Sequence, residues 1–285
     1  MNKLFNLIIA ICILTVIFIF KDYSYNFKNL LLDKSIYLTF FGFFMVSNIF
    51  ISIRWWLLSN AVLKEKTSLT YSLSITLAAY AYNVTVLGGV GDLSKFYYFK
   101  SENKAKIVGL ILVERVCGLI ASLGLSLFVI INFFNYNISI IYLLLYLCLV
   151  VFLINKKLLI KYIPYLNISE YEISKIINNS KIYLIIFISL LLQFIFYIGH
   201  YFLIKMFGIN ISYKELILIL ALLSIANSIP LSYSGFGIRE IFVLLFSNFI
   251  LIDISDIFDF TITLGFLNLC LGAILLLFYK FVRKY

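Results

Sequence analysis

Leu216-Ile-Leu-Ile-Leu-Ala-Leu-Leu-Ser-Ile-Ala-Asn-Ser-Ile-Pro-Leu-Ser-Tyr-Ser-Gly-Phe-Gly-Ile-Arg-Glu240 is the stretch that decides the fold. An apolar run breaks after Asn227, passes through Pro230 into a glycine-rich turn carrying both charge signs, and resumes as Ile241–Ile252. The resumed run of 12 residues is too short to cross a bilayer as a helix at about 1.5 Å per residue. The chain is therefore expected to enter the membrane, break and return to the side it came from. Leu69–Leu87 repeats the pattern: it leads into Leu87-Gly-Gly-Val-Gly-Asp-Leu-Ser-Lys95, and the short apolar run Leu93–Phe99 follows. Polar backbone of this kind is tolerated in lipid only where protein buries it or where it lines a watery cavity, so the two breaks are where function is expected.

Composition makes the membrane setting necessary. Of 285 residues 64% are hydrophobic and only 13% charged, more apolar surface than a soluble core can hide. Uncharged runs near the roughly 20 residues needed to span occur at Leu4–Phe20, Ile36–Ile53, Val116–Phe134, Ile138–Asn155, Ile182–Ile204 and Phe260–Tyr279. The predicted architecture is an all-α polytopic membrane protein with six to seven spanning helices and two re-entrant broken-helix hairpins, at 69–100 and 216–252. It forms one membrane domain over 1–285, with a cytoplasmic loop at 155–181. The first run lacks the small residues of a signal-peptidase site and reads as a retained helix.

The net charge of +10 falls mostly in short loops beside spans, the mark of membrane topology rather than of a nucleic-acid partner. With the amino terminus in the cytoplasm and both hairpins returning to their own side, 16 cations lie inside and 5 outside. A rival with nine full crossings and the amino terminus outside scores 16 to 6, but must span the bilayer with Ile241–Ile252 alone. In the hairpin arrangement the first enters from the cytoplasm and the second from outside, as in an inverted-topology repeat. Both termini are then cytoplasmic.

Little supports redox or metal chemistry. Cys12, Cys117, Cys148 and Cys270 lie singly in apolar runs, as small packing residues do, and His200 is the one histidine. No metal, cofactor or catalytic residue is predicted.

The glycine turns are built for anions, or simply for turning. Backbone N–H groups of a glycine loop leading into a helix converge on one spot and favour phosphate. Gly88, Gly89 and Gly91 precede a short helix near Asp92; Gly235 and Gly237, after Ser234, precede one near Arg239. Lys95 and Arg239 would add charge-assisted bonds to a lipid phosphate, or else snorkel to the interface. Asp92 and Glu240 either cap and neutralise their helices or face a cationic headgroup or coupling proton. Glu114 and Arg115 open the run Val116–Phe134 and point in different directions, so each needs its own partner. Gly118 and Ser122 fit close helix packing. Trp55 and Trp56 beside Arg54 read as interface anchors.

At Gly88–Lys95, Val113-Glu-Arg-Val116 and Ile229-Pro-Leu-Ser-Tyr-Ser-Gly-Phe-Gly-Ile-Arg-Glu240 the chain resembles the flippase-like transmembrane family named after lysylphosphatidylglycerol synthase. The resemblance implies a domain that translocates a phospholipid or polyprenyl-linked lipid between leaflets of the inner membrane. It does not bring the synthase activity, whose soluble aminoacyl-transferase domain has no counterpart in these 285 residues. Headgroup contacts are expected from Gly89, Gly91, Asp92, Lys95, Glu114, Arg115, Ser234, Gly235, Gly237, Arg239 and Glu240. Two other readings stand beside transport. One is an accessory subunit of an envelope-biosynthesis enzyme; the other is a membrane transferase using Asp92 or Glu240 as base.

Overall fold

Backbone in hydrocarbon must satisfy its own hydrogen bonds, so apolar runs of this length become helices. The computed structural model describes residues 34–85, 91–99, 102, 104–133, 136–154, 181–228, 238–245 and 253–282. Among the described residues all regular structure is helical. In chain order it comprises α1 (Lys34–Val62), α2 (Leu69–Thr85), an eight-residue 3₁₀-helix (Gly91–Tyr98), α3 (Lys104–Phe133), α4 (Tyr136–Ile154), α5 (Lys181–Met206), α6 (Tyr213–Ser228), α7 (Ile238–Leu245) and α8 (Ile254–Val282). Among the described residues, four helices contain stretches long and apolar enough to cross a membrane: Lys34–Val62, Lys106–Leu127, Tyr183–Met206 and Ser255–Leu277. The expected first span and the loop after Asn155 lie outside the described residues, as do Gly88, Gly89, Ser234, Gly235 and Gly237.

Two elements depart from the charge-based boundaries. α1 runs through Arg54 to Val62, and α3 begins at Lys104, ten residues before Glu114. Charge does not end these helices because Arg54 and Glu114 neutralise one another inside the protein.

The described residues divide into two compact units. The unit built from Met45–Thr76 and Leu93–Phe196 has a buried apolar core that includes Trp55, Leu58, Ile75, Phe99, Ile107, Leu110 and Ile185. Small polar residues let its helices approach closely. Ser52 Oγ lies 2.6 Å from Thr76 Oγ1 between α1 and α2, and Ser126 Oγ lies 2.5 Å from Tyr142 Oη between α3 and α4. The α1–α2 connection is tightly wired. Asn60 Nδ2 and Trp56 Nε1 both donate to Thr67 O at 2.9 Å, and Lys66 Nζ donates to the Leu63 carbonyl at 2.9 Å. From beyond the 3₁₀-helix, the buried Glu102 carboxylate accepts the backbone N–H groups of Lys64 and Glu65.

The other unit comprises Met1–Phe44, Leu77–Asp92 and Tyr197–Tyr285, and in it α7 packs against α6 and α8. Its α5–α6 corner is closed from both sides. Gly208, at φ 76°, ends α5 in a Schellman motif, with Gly208 N–H donating to Lys205 O at 3.0 Å and Ile209 N–H to Ile204 O at 3.3 Å. Ser212 and Glu215 then start α6 as a capping box: the Glu215 carboxylate accepts the Ser212 N–H at 3.0 Å, and the Glu215 N–H donates to Ser212 Oγ at 3.3 Å. Phe207 meets Phe260 edge to face at 5.4 Å, and the half-buried His200 ring lies 6.3 Å from the same phenyl.

The cysteines depart in part from the packing role. Cys117 is buried, but Cys148 and Cys270 are exposed on faces of α4 and α8 that the protein does not cover. Cys12 lies outside the described residues.

Candidate functional site

Three charged side chains from α1, the 3₁₀-helix and α3 meet inside the unit that holds Trp55. Lys95 Nζ donates to Glu114 Oε2 at 2.7 Å, while Arg54 Nη2 and Nε reach Glu114 Oε1 at 3.2 and 3.4 Å. Arg54 Nη1 donates to Ser189 Oγ at 3.1 Å, and Ser189 in turn donates to Ile185 O at 2.9 Å. A Cβ at Gly118 would stand 3.6 Å from Arg54 Nη1, an ordinary van der Waals contact. Gln193 Nε2 donates to the Gly118 carbonyl at 3.4 Å.

The cluster is dry. Lys95 is 2% exposed and Glu114 4%, and Glu114 lies within the stretch of α3 able to cross a membrane. Taking such charges from water costs several kcal/mol per ion, which only close geometry and further hydrogen bonds offset. Glu114 supplies the geometry with one oxygen for each cation. The Trp55 ring adds to it, lying 4.0 Å beneath the Lys95 ammonium, close enough for a desolvated cation–π contact of about 2 kcal/mol. Phe99 then backs the indole edge to face at 6.2 Å.

Two cations and one carboxylate leave this triad with a formal charge of +1. The fully buried Trp55 Nε1 and the buried Ser94 Oγ have no hydrogen-bond partner among the described residues. A buried donor left unused costs about 1–3 kcal/mol. Two buried cations on one carboxylate, with an unused donor on the ring that Lys95 covers, are the kind of groups an anion site employs.

Of the residues predicted from sequence, Lys95 and Glu114 are brought into contact. Gly91 is buried on α2, where a Cβ would overlap the Asn83 amide nitrogen and the Tyr82 carbonyl carbon. The need for glycine there is close backbone approach. Asp92, half-buried, sits in the first turn of the 3₁₀-helix, and Arg115 is half-buried on α3. Arg239 and Glu240, in the other unit, are buried in the first turn of α7. Arg239 lies within electrostatic reach of Tyr80, whose hydroxyl donates to Asn268 Oδ1 at 2.5 Å.

Several readings are corrected. Glu114 and Arg115 do not open a span; both lie well inside α3. Arg54 and Trp55 are not interface residues: Trp55 is fully buried and Arg54 nearly so, while Trp56 is half-buried. A tryptophan pair beside arginine is the local signature of an interface, and the partners that overrule it lie 60 and 135 positions away for Arg54. The available signal was the apolar run resuming as Trp55-Trp-Leu-Leu58, which keeps Arg54 inside its helix.

No curated protein and no solved structure matches the chain. The family described as lysylphosphatidylglycerol synthase TM region matches residues 3–255 of the 285. With hydrophobic helices and this match over most of its length, the protein is a multi-pass membrane protein, and it belongs to the lysylphosphatidylglycerol synthase transmembrane-region family.

Proposed function

We propose that this protein moves a phospholipid or lipid-linked headgroup between membrane leaflets, without enzymatic activity of its own. The observation that carries the reading is the Arg54–Glu114–Lys95 cluster: charge buried within a span marks a substrate path by default, and here two cations share one carboxylate. A headgroup phosphate would share these cations with Glu114 and be released to water on either side. Family membership supports a role in membrane-lipid biosynthesis or translocation. In the other unit, Arg239 and Glu240 offer the same kind of chemistry, a buried cation beside a buried carboxylate.

The proposed setting is the inner membrane, with both termini cytoplasmic and the two hairpins entering from opposite faces. Removing the buried Arg54 and Lys95 from the inside count leaves 14 cations against 5, so the charge argument for this orientation keeps its sign.

The test is leaflet-resolved exchange of fluorescent phospholipid in proteoliposomes. Faster exchange with the protein than without it, reduced by Lys95→Met, is the expected result. Equal rates with and without protein for every lipid tried sink the transport reading.

A further inference from the structure

We infer that Trp55 is a headgroup-binding residue, its indole N–H donating to a phosphate oxygen seated beside Lys95 and Arg54. The inference rests on the transport reading and adds to it a neutral donor to the phosphate, from a residue outside the glycine-rich and Glu-Arg segments.

Trp55 is the largest fully buried side chain, and its ring is fixed from two sides. The Lys95 ammonium stands 4.0 Å from the ring centre and Phe99 packs edge-on at 6.2 Å. Its Nε1 nevertheless has no acceptor among the described residues. Trp56, next in sequence, differs: its indole N–H is used, donating to Thr67 O at 2.9 Å. An indole N–H donates only and carries no charge. A ligand for it must supply an acceptor, and one placed beside two cations gains most if it is anionic. A carboxylate is already present as Glu114, both of whose oxygens are engaged by those cations. The incoming anion must therefore present several acceptor atoms at once, so that one oxygen meets Trp55 while others meet Lys95 and Arg54. A phosphate meets that requirement with its non-bridging oxygens. Rigid placement of the indole means that little side-chain freedom is lost on binding.

The chain has two tryptophans, so Trp56→Phe leaves Trp55 as its sole indole fluorophore. That variant is held in non-ionic detergent, which contributes no phosphate, and titrated with dihexanoylphosphatidylglycerol, inorganic phosphate and dihexanoylglycerol. A saturable red shift with dihexanoylphosphatidylglycerol and none with dihexanoylglycerol is expected. If inorganic phosphate saturates the shift at equal or lower concentration, the seat stands and free phosphate is its ligand; if the lipid is needed, the seat serves a headgroup. A shift equally produced by dihexanoylglycerol, or none with any probe, overturns the inference.

Trp55→Phe, which keeps an aromatic ring but removes the donor, should weaken dihexanoylphosphatidylglycerol binding by calorimetry about tenfold or more. Unchanged affinity in a folded Trp55→Phe protein also overturns it. A silent Trp55 with leaflet exchange intact removes the seat and spares transport. A responding Trp55 without protein-dependent exchange does the reverse.

Discussion

Arg54 and Lys95 divide one carboxylate between them, Lys95 on Oε2 of Glu114 at 2.7 Å and Arg54 on Oε1 at 3.2 Å. Loss of Glu114 removes a carboxylate from two buried cations at once, and this asymmetry governs what substitution will do.

Glu114→Gln should destabilise the protein by about 3–5 kcal/mol, the usual cost of removing one member of a buried ion pair. Replacing all three together, as Arg54→Met, Lys95→Met and Glu114→Leu, should restore most of that stability while abolishing lipid exchange. Reversible unfolding in mixed micelles measures the first effect and proteoliposome exchange the second. An unchanged unfolding midpoint for Glu114→Gln would show that the cluster is not ionic as described.

Three glycines should respond to alanine in a fixed order. Gly91→Ala forces a methyl into the α2 backbone and should cost about 1–3 kcal/mol. Gly208→Ala has open space but sits at φ 76°, for about 1–2 kcal/mol. Gly42→Ala, inside α1 with nothing near it, should stabilise by about 0.5–1 kcal/mol. Thermal unfolding of the three variants tests the order, and a neutral Gly91→Ala would remove the close-packing role.

Ser212→Ala and Glu215→Ala each break the α6 capping box and should each cost about 1 kcal/mol. Because the two side chains act as a pair, the double variant should lose less than the two single losses added together. Strict additivity in denaturation would mean that they act independently.

Orientation is open to cysteine labelling in a background with Cys12, Cys117, Cys148 and Cys270 replaced by serine. Lys66→Cys is expected to react with impermeant maleimide only from the cytoplasmic side, and Lys214→Cys only from outside. Labelling of both from one side would invert or discard the proposed topology.

Sequence alone located the apolar elements well: Ile182–Ile204 became Lys181–Met206, and Leu69–Leu87 became Leu69–Thr85. Each is a local property, since hydropathy and breaks are carried by neighbouring residues. The same local reasoning misplaced Arg54, Trp55 and the start of α3, because a charge ends a membrane helix only when nothing in the fold meets it. Glu114 meets Arg54 across 60 positions and Lys95 across 19. Two of the three residues of the central triad were thus legible as motif, Lys95 and Glu114, while the residue that joins them to α1 was not. Gly91 shows the complementary case: its need for glycine was readable, but the reason, an α2 backbone against it, was not.

The 3₁₀ geometry of Gly91–Tyr98 sets how this leg can tolerate change in length. At three residues per turn each position is a third of a revolution from the next, so Lys95 and Tyr98 stand in one file along it. Inserting or deleting a single residue before Lys95 turns its ammonium about 120° away from Glu114; a change of three restores the facing and shifts it about 6 Å along the axis. The leg is in effect indexed in triplets, and drift in its length is confined to steps that keep the lysine on its carboxylate's side.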